Sequence, residues 1–238
     1  MSNENETGLI FHLDEKNTFC ISLETHPTRW QKMSQRFKAL NINVTRWPAS
    51  VANTTDVYDN FHPHYNLNPG QKACAQSHIN IWKHIQSNPE IKYALILEDD
   101  ACFDKNWKNK LDQFYNDINC ESENKDDWDM ILLNASEPIN TTNQWVKVTE
   151  QYLAAGYIIS QKGVNTILNM FHDNYAASDW MMWNLQYLGN SYSYFPWLII
   201  QEGRESTIGS NIDADHEKVV NCLNKIEYSL DNYVILHL

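Results

Sequence analysis

Residues 93–104, YALILEDDACFD, decide the fold because an apolar run changes abruptly into a run of acids. Five apolar residues from Tyr93 to Leu97 follow one another without a polar interruption. This pattern is typical of a strand buried on both faces of a sheet. Glu98, Asp99 and Asp100 come directly after it. Because ligands of open α/β sheets bind at the carboxyl ends of strands, the stretch predicts a central strand that ends in an acidic site.

Three neighbouring carboxylates allow two interpretations. They repel one another, and a divalent cation would offset that repulsion, since Mg²⁺ and Mn²⁺ prefer carboxylate oxygens and accept substrate phosphates as further ligands. The alternative is a solvated acidic turn, which is a common feature after a strand. The buried strand directly in front of the acids favours the metal interpretation.

The composition restricts the class of partner. The 238 residues carry a net charge of −12, which argues against nucleic acid because phosphate backbones are bound by Lys and Arg. No apolar run reaches the roughly 20 residues that span a bilayer, and no signal sequence opens the chain. The five cysteines lack CxxC spacing. These features predict a cytoplasmic protein in a reducing compartment, without a membrane span.

The chain before the central strand predicts a β-α-β unit. Residues 19–23 form an apolar run, residues 30–40 place apolar side chains at helical spacing, and residues 42–47 read as the next strand. No glycine-rich loop joins the first strand to the helix, so neither a P-loop nor a dinucleotide fingerprint is present. Arg29, at the start of the helix, either reaches a phosphate or lies on the surface.

The later elements predict one α/β domain. We expect helices at 71–85, 103–118 and 161–172, strands at 128–133, 153–160 and 195–200, and polar loops at 50–68 and 135–150. We place the domain at residues 19–211, after a flexible segment at 1–18. Residues 212–238 are predicted to be a C-terminal extension that packs on the same domain.

Several motifs, in sequence order, resemble those of glycosyltransferase family 25, the lipooligosaccharide and collagen sugar-transferase family. They are ISLETHPTRWQKM at 21–33, the Gly-x-x-x-Cys-x-x-Ser-His block at 70–78, ALILEDDA at 94–101, WDMILL at 128–133, AGYIIS at 155–160 with Gly163, SDW at 178–180 and ESTI at 205–208. Their shared order makes the match specific. The chain departs from the family at Gln71 and Lys72, where an acid is common, and in having only Arg29 where two arginines are frequent.

The resemblance implies a GT-A fold, which is a Rossmann-like α/β domain with a mixed, mostly parallel sheet flanked by helices. It also implies inverting transfer of a hexose, most often galactose or glucose, from a UDP-sugar. The acceptor would be a hydroxyl of a glycan, lipooligosaccharide or glycoprotein, and the cofactor Mn²⁺ or Mg²⁺.

Site residues follow from the same resemblance. Glu98, Asp99 and Asp100 stand in the place of the metal-binding DxD motif, with Asp100 and Glu98 as the metal ligands. The donor-binding residues would be Ser22, Leu23, Arg29, Ser77, His78, Glu98 and Asp99.

An inverting reaction needs a base that deprotonates the acceptor hydroxyl. We predict Asp179 for this role, with Asp129 as the second candidate. Apolar neighbours such as Trp180 and Met181 favour a raised carboxyl pKa. The alternative role of Asp179 is to cap a helix. The Trp and Tyr residues near Asp179 are candidates for an acceptor platform.

Two other functions remain open. A nucleotidyltransferase would need a glycine-rich, basic loop after the first strand, where this chain has ETHPTRW. A non-catalytic transferase-like domain that binds glycans or a partner protein would keep the same motifs.

Overall fold

The computed structural model describes residues 11–55, 57, 60–118, 127–203 and 212–235, without the side chains of 212–215. The motif at 205–208 and the first ten residues of the predicted flexible segment lie outside these ranges.

Nine strands and seven α-helices make up the described part of the chain. In order they are β1 (Thr18–Ser22), α1 (Pro27–Leu40), β2 (Thr45–Pro48), α2 (Pro69–Ser87), β3 (Tyr93–Glu98), β4 (Ala101–Phe103), α3 (Trp107–Asp112), α4 (Phe114–Asp117), β5 (Met130–Leu132), β6 (Trp145–Val148), β7 (Gly156–Ser160), α5 (Gln161–Met170), α6 (Ser178–Leu188), β8 (Ser191–Tyr194), β9 (Ile199–Gln201) and α7 (Ile212–Lys225).

A seven-stranded mixed sheet organises the domain, with strand order β2-β1-β3-β7-β5-β8-β6. The β1–β2, β1–β3 and β5–β8 pairs are parallel, and the other three pairs are antiparallel because β7 and β6 run against their neighbours. Strands β4 and β9 form a separate antiparallel pair. The predicted Rossmann-like α/β fold with a mixed sheet is confirmed, although half of the pairings in the large sheet are parallel rather than most of them.

The central strand β3 is buried on both faces, as its sequence predicts. Ala94 and Ile96 belong to one apolar cluster, which also contains α2, α5 and α6 side chains. Leu95 and Leu97 belong to a second cluster, with α1, α3 and α4 side chains. All four are inaccessible to solvent. The acids after Leu97 therefore emerge from the middle of the core.

Several element boundaries were predicted incorrectly. The helix expected at 103–118 is divided into α3 and α4, and Phe103 belongs to β4, where it pairs with Ile199. The polar stretch at 135–150 contains β6. Of the region expected as one strand at 195–200, only residues 199 and 200 belong to a strand, β9. These short strands are specified by pairing with distant partners, which local periodicity does not report.

The two ends of the described chain pack on the domain. Phe11, in the segment at 1–18, is buried, and its ring contacts those of Tyr93 and Tyr115. Leu223 and Tyr233 lie in a third apolar cluster with Trp197. Within the described ranges, no helix is both long enough and apolar enough to cross a membrane.

Candidate functional site

A cavity of about 420 Å³ opens at the carboxyl ends of β1 and β3. The helices α2 and α6 complete its wall. Eight of the ten site residues predicted from the sequence line it: Ser22, Leu23, Arg29, Ser77, Glu98, Asp99, Asp100 and Asp179. The fold therefore brings together residues that are up to 157 positions apart in the chain. The two others, His78 and Asp129, lie elsewhere.

Arg29 is paired with the acidic triplet. Its Nε donates to Asp99 Oδ1 at 2.7 Å, and its Nη2 lies 2.6 Å from the same oxygen and 3.5 Å from Asp100 Oδ2. Arg29 stands two residues after Pro27, which begins α1, so the chain after β1 carries the cation to the end of β3. The surface alternative for Arg29 is thereby excluded, and one cation offsets part of the repulsion among three acids.

Asp100 is the least satisfied of these acids. Its carboxylate is buried, and Oδ1 has no hydrogen-bond partner among the described residues. Burial raises the pKa of Asp100 to about 7, and the charges of Glu98 and Asp99 add to that shift. Burial also raises the pKa of Asp99. An unpartnered buried oxygen within an excess of negative charge fits a hard divalent cation.

A chain of hydrogen bonds that starts at the buried Trp82 contacts Glu98. Trp82 Nε1 donates to the Tyr157 hydroxyl at 3.0 Å, the hydroxyl lies 2.8 Å from His78 Nδ1, and His78 Nε2 lies 3.2 Å from Glu98 Oε1. Since the Tyr157 oxygen accepts from Trp82, its own hydrogen is available to His78 Nδ1, which leaves the Nε2 hydrogen to donate to Glu98. His78 thus contacts a cavity carboxylate rather than the cavity itself.

This arrangement keeps Glu98 ionised. Burial acts to raise the pKa of Glu98, but the hydrogen bond from His78 and the charge of Arg29 outweigh it and lower the pKa. Glu98 and Asp100, two residues apart, therefore have pKa values shifted in opposite directions.

Cys74 is a site residue that the sequence reasoning missed. Its Sγ lies 3.7 Å from Glu98 Oε1, and burial raises the pKa of the thiol well above its usual value, so it donates as a thiol. The ligand atoms of Cys74, His78 and Glu98 lie within 4.8 Å of one another. Cys74 precedes His78 by one helical turn, and that spacing was the signal that could have identified it.

Ser77 supports the cavity wall. Its hydroxyl accepts from the backbone N–H of Ser50 at 2.9 Å and donates to the carbonyl of Ala73 at 2.8 Å. Ser77 thereby fixes the loop after β2, which contributes Ser50 and Val51 to the cavity. The Ser77 hydroxyl thus both accepts and donates a hydrogen bond within the protein.

Asp179 lies in the first turn of α6 and lines the cavity. The N-cap of α6 is Ala177, without a side-chain capping bond, so Asp179 is not the cap. Its Oδ1 accepts from the backbone N–H of Trp180 at 2.9 Å. Burial raises the pKa of Asp179, and the charge of Glu98 contributes to the shift. A half-buried carboxylate with a raised pKa is suited to accept a proton.

Asp129, the second candidate base, lies at the end of the sheet opposite to the cavity. Asp129 immediately precedes β5. The strand register aligns it with Ser160 of β7, which in turn pairs with Tyr93 of β3, five residues before Glu98. That separation is about 16 Å along the strands. Its Oδ2 accepts from the backbone N–H of Asn190 at 2.7 Å, and its Oδ1 lies 3.4 Å from Lys162 Nζ. The structure therefore does not bring Asp129 together with the acidic triplet, because Asp129 stands before its strand rather than after it.

An acidic triplet at the end of a central strand, facing a carboxylate from a distant helix, defines the class of protein as a candidate group-transfer enzyme. The sequence matches the family described as "Glycosyltransferase family 25 (LPS biosynthesis protein)" over residues 15–182, and the chain belongs to this family. The motifs from 21–33 to 178–180 lie within that match.

Named relatives vary in length. The chain is 28% identical over 172 residues to procollagen galactosyltransferase 1-B of Xenopus laevis, an alignment that covers 63% of this chain and 28% of that protein. It is 24% identical over 233 residues to the lipooligosaccharide biosynthesis protein lic2B of Haemophilus influenzae, covering 87% and 85%. It is 26% identical over 152 residues to the "Probable inactive glycosyltransferase 25 family member 3" of Bos taurus, covering 58% and 25%. The chain thus spans less than a third of the Xenopus protein but most of the Haemophilus one.

Proposed function

We propose that this chain is an inverting, metal-dependent glycosyltransferase that moves a hexose, galactose or glucose, from a UDP-sugar to a hydroxyl of a glycan, lipooligosaccharide or glycoprotein. The observation that carries the proposal is the convergence of Arg29, the acidic triplet and Asp179 on one cavity. Family membership supports the reaction class. The names of the Xenopus and Haemophilus relatives support galactose as the sugar and lipooligosaccharide or procollagen-like protein as the acceptor.

Asp100 and Glu98 would hold Mn²⁺ or Mg²⁺. The unpartnered Oδ1 of Asp100 and the ionised state of Glu98 both favour a cation at this place. A metal bound here would stabilise the negative charge that develops on the departing diphosphate. Arg29 supplies a second positive charge beside the same acids, and its guanidinium suits phosphate oxygens.

Asp179 would accept the proton of the acceptor hydroxyl. Its raised pKa brings its basicity closer to that of a useful base at neutral pH, and it shares the cavity with the acidic triplet. The hydrogen bond from Trp180 fixes one carboxylate oxygen and thus orients the side chain.

Turnover of a panel of nucleotide-sugars tests the proposal. We expect release of UDP from UDP-galactose or UDP-glucose in the presence of a glycan acceptor and Mn²⁺, and loss of that release in EDTA and in Asp100→Ala. Turnover of a GDP- or CMP-sugar instead would show that the donor is not a UDP-sugar. Wild-type turnover by Asp100→Ala would contradict the metal assignment.

A binding module is the second candidate, favoured by the relative named as probably inactive. It predicts Mn²⁺-dependent binding of UDP without release of sugar to any acceptor, whereas the transferase proposal predicts both.

A further inference from the structure

The exposed apolar surface of the protein is concentrated in one place. Six large apolar side chains are exposed among the described residues: Val51, Tyr65, Trp180, Tyr187, Leu188 and Ile226. Val51 lines the cavity, three of the others belong to α6, and Tyr65 contacts Trp180. Five of the six thus lie at the cavity or along the helix that starts there. Scattered apolar side chains are ordinary, but a contiguous group indicates a binding surface.

Three of these exposed residues, together with the half-buried Tyr152 and Trp183, form a group of five aromatic rings that we call the aromatic row: Tyr65, Tyr152, Trp180, Trp183 and Tyr187. Trp180, Trp183 and Tyr187 follow one face of α6 at helical spacing, with ring centroids 5.9 and 5.8 Å apart. The rings of Trp183 and Tyr187 are within 10° of parallel, and Tyr152 is within 11° of parallel to Trp183. The row therefore extends over about 10 Å of helix.

The aromatic row is continuous with the cavity at two points. Asp179 lines the cavity, and the next residue, Trp180, is 43% exposed on the row. Tyr152 belongs to the row, and the next residue, Leu153, lines the cavity. Leu153 has a φ of 78°, a conformation that a bulky residue adopts at a local energetic cost. Two consecutive residues thus lie on the row and at the cavity.

The chemistry of the row favours a neutral, hydroxyl-rich ligand. The helix α6 has the sequence SDWMMWNLQYL, in which Asp179 is the sole charged residue. Without Lys or Arg, the helix offers nothing to anionic headgroups or to an acidic partner. Aromatic rings provide flat apolar faces with a polar edge at Tyr and Trp, which suits the C–H face and hydroxyl rim of a pyranose. Asn184, one turn after Trp180, adds an amide rather than a charge.

We propose that the aromatic row binds the acceptor as an oligosaccharide, with several neutral sugar units lying along α6 and the terminal unit entering the cavity beside Asp179. This inference rests on the proposed function, because it supplies the second substrate of that reaction. It predicts that acceptor recognition depends on chain length, since a single sugar contacts only the end of the row near Trp180.

A calorimetric titration with neutral glucose- and galactose-containing oligosaccharides, one to five units long, tests the inference in the presence of UDP and Mn²⁺. We expect affinity to increase with length in the wild type. Tyr187→Ala should weaken binding of the longest members about tenfold and leave the monosaccharides unchanged, because it removes apolar contact at the far end of the row. Tyr187→Phe should restore most of the affinity.

Controls separate this inference from the proposed function. Tyr187 is 64% exposed, so its loss should not unfold the protein, and Ile226→Ala removes an exposed apolar side chain outside the row. Both variants should bind UDP with Mn²⁺ as the wild type does, and failure of that binding in the wild type would contradict the proposed function instead. The inference that the aromatic row binds the acceptor would be overturned by any of three results: affinity independent of oligosaccharide length, equal affinity of Tyr187→Ala and the wild type, or no binding of any member of the panel. Dimerisation that Tyr187→Ala abolishes would assign the row to a protein interface and also overturn it.

Discussion

Two buried aspartates, Asp100 and Asp129, lie at opposite ends of the strands of the large sheet and differ in their surroundings. Each has one carboxylate oxygen without a hydrogen bond among the described residues. In Asp129 this oxygen, Oδ1, lies 3.4 Å from Lys162 Nζ, and the other oxygen, Oδ2, accepts a hydrogen bond from the backbone N–H of Asn190. Asp100 has Glu98 and Asp99 as neighbours and Arg29 at 3.5 Å from its other oxygen.

The difference shows how a site is distinguished from a structural contact. Asp129 sits at the amino end of β5, where its charge ties the start of a strand to the loop after α6. Asp100 sits at the carboxyl end of β3, where burial, together with the charges of Glu98 and Asp99, raises its pKa to about 7. A fold keeps such an arrangement at a cost in stability, which a bound cation would recover.

The largest expected effect separates the two aspartates by activity. Asp100→Asn should lower the turnover of UDP-galactose or UDP-glucose by about a thousandfold, because it would remove a ligand of the proposed metal, whose charge would stabilise the leaving diphosphate. Initial rates at saturating Mn²⁺ measure this. Asp129→Asn is the matched control and should retain wild-type turnover per folded molecule; a comparable loss there would contradict the placement of the site.

Asp179→Asn should reduce kcat by about a hundredfold to a thousandfold with little change in the KM for the donor, because an amide does not accept the proton of the acceptor hydroxyl. Steady-state kinetics with both substrates varied give the two constants. Asp173→Asn, which changes an exposed acid shortly before α6, is the control. An unchanged kcat in Asp179→Asn would remove the assignment of the base.

Asp129→Ala should lower the free energy of unfolding by about 3 kcal/mol, because it leaves the backbone N–H of Asn190 and the ammonium of Lys162 without their carboxylate. Urea denaturation measures the change. Lys162→Met tests the exposed partner of the pair and should cost no more than about 1 kcal/mol. Equal losses in the two variants would show that the ion pair, rather than the backbone contact, makes Asp129 structural.

Asp100→Asn should stabilise the metal-free protein by about 2 kcal/mol at pH 8. Since the folded-state pKa of Asp100 is raised to about 7, the unfolded chain releases this proton near pH 4 and the folded wild type loses stability as the pH rises from 4 through 7. The gain should therefore shrink as the pH is lowered from 8 toward 4. Thermal unfolding in EDTA over this range measures it, and a gain independent of pH would argue against burial of the charge as its cause.

The sequence predicted the elements with strong local patterns. The apolar run at 93–97 and the helical spacing in α1, α2 and α5 are carried by consecutive residues, and these elements were correct. The short strands β4, β6 and β8 depend on pairing with distant segments, and no local pattern marks them. The acids after β3 were identified because a strand end is visible in the sequence.

The second base candidate was misplaced for a related reason. Asp129 and Asp179 are both acids beside a Trp. Only the sheet order shows which of them lies at the end of the sheet that holds the cavity. The role of Cys74 depends on the rotation of α2 that brings its thiol to Glu98. Such contacts between elements are set by packing and are not readable from either segment by itself.

Calorimetric titration of UDP with and without Mn²⁺ tests the central claim most directly, using the wild type, Asp100→Asn and Asp129→Asn. The account predicts that the wild type and Asp129→Asn bind UDP tightly only when Mn²⁺ is present, and that Asp100→Asn loses this dependence together with most of the affinity. Equal Mn²⁺-dependent binding by Asp100→Asn and the wild type would contradict the claim that the end of β3 is the metal and donor site.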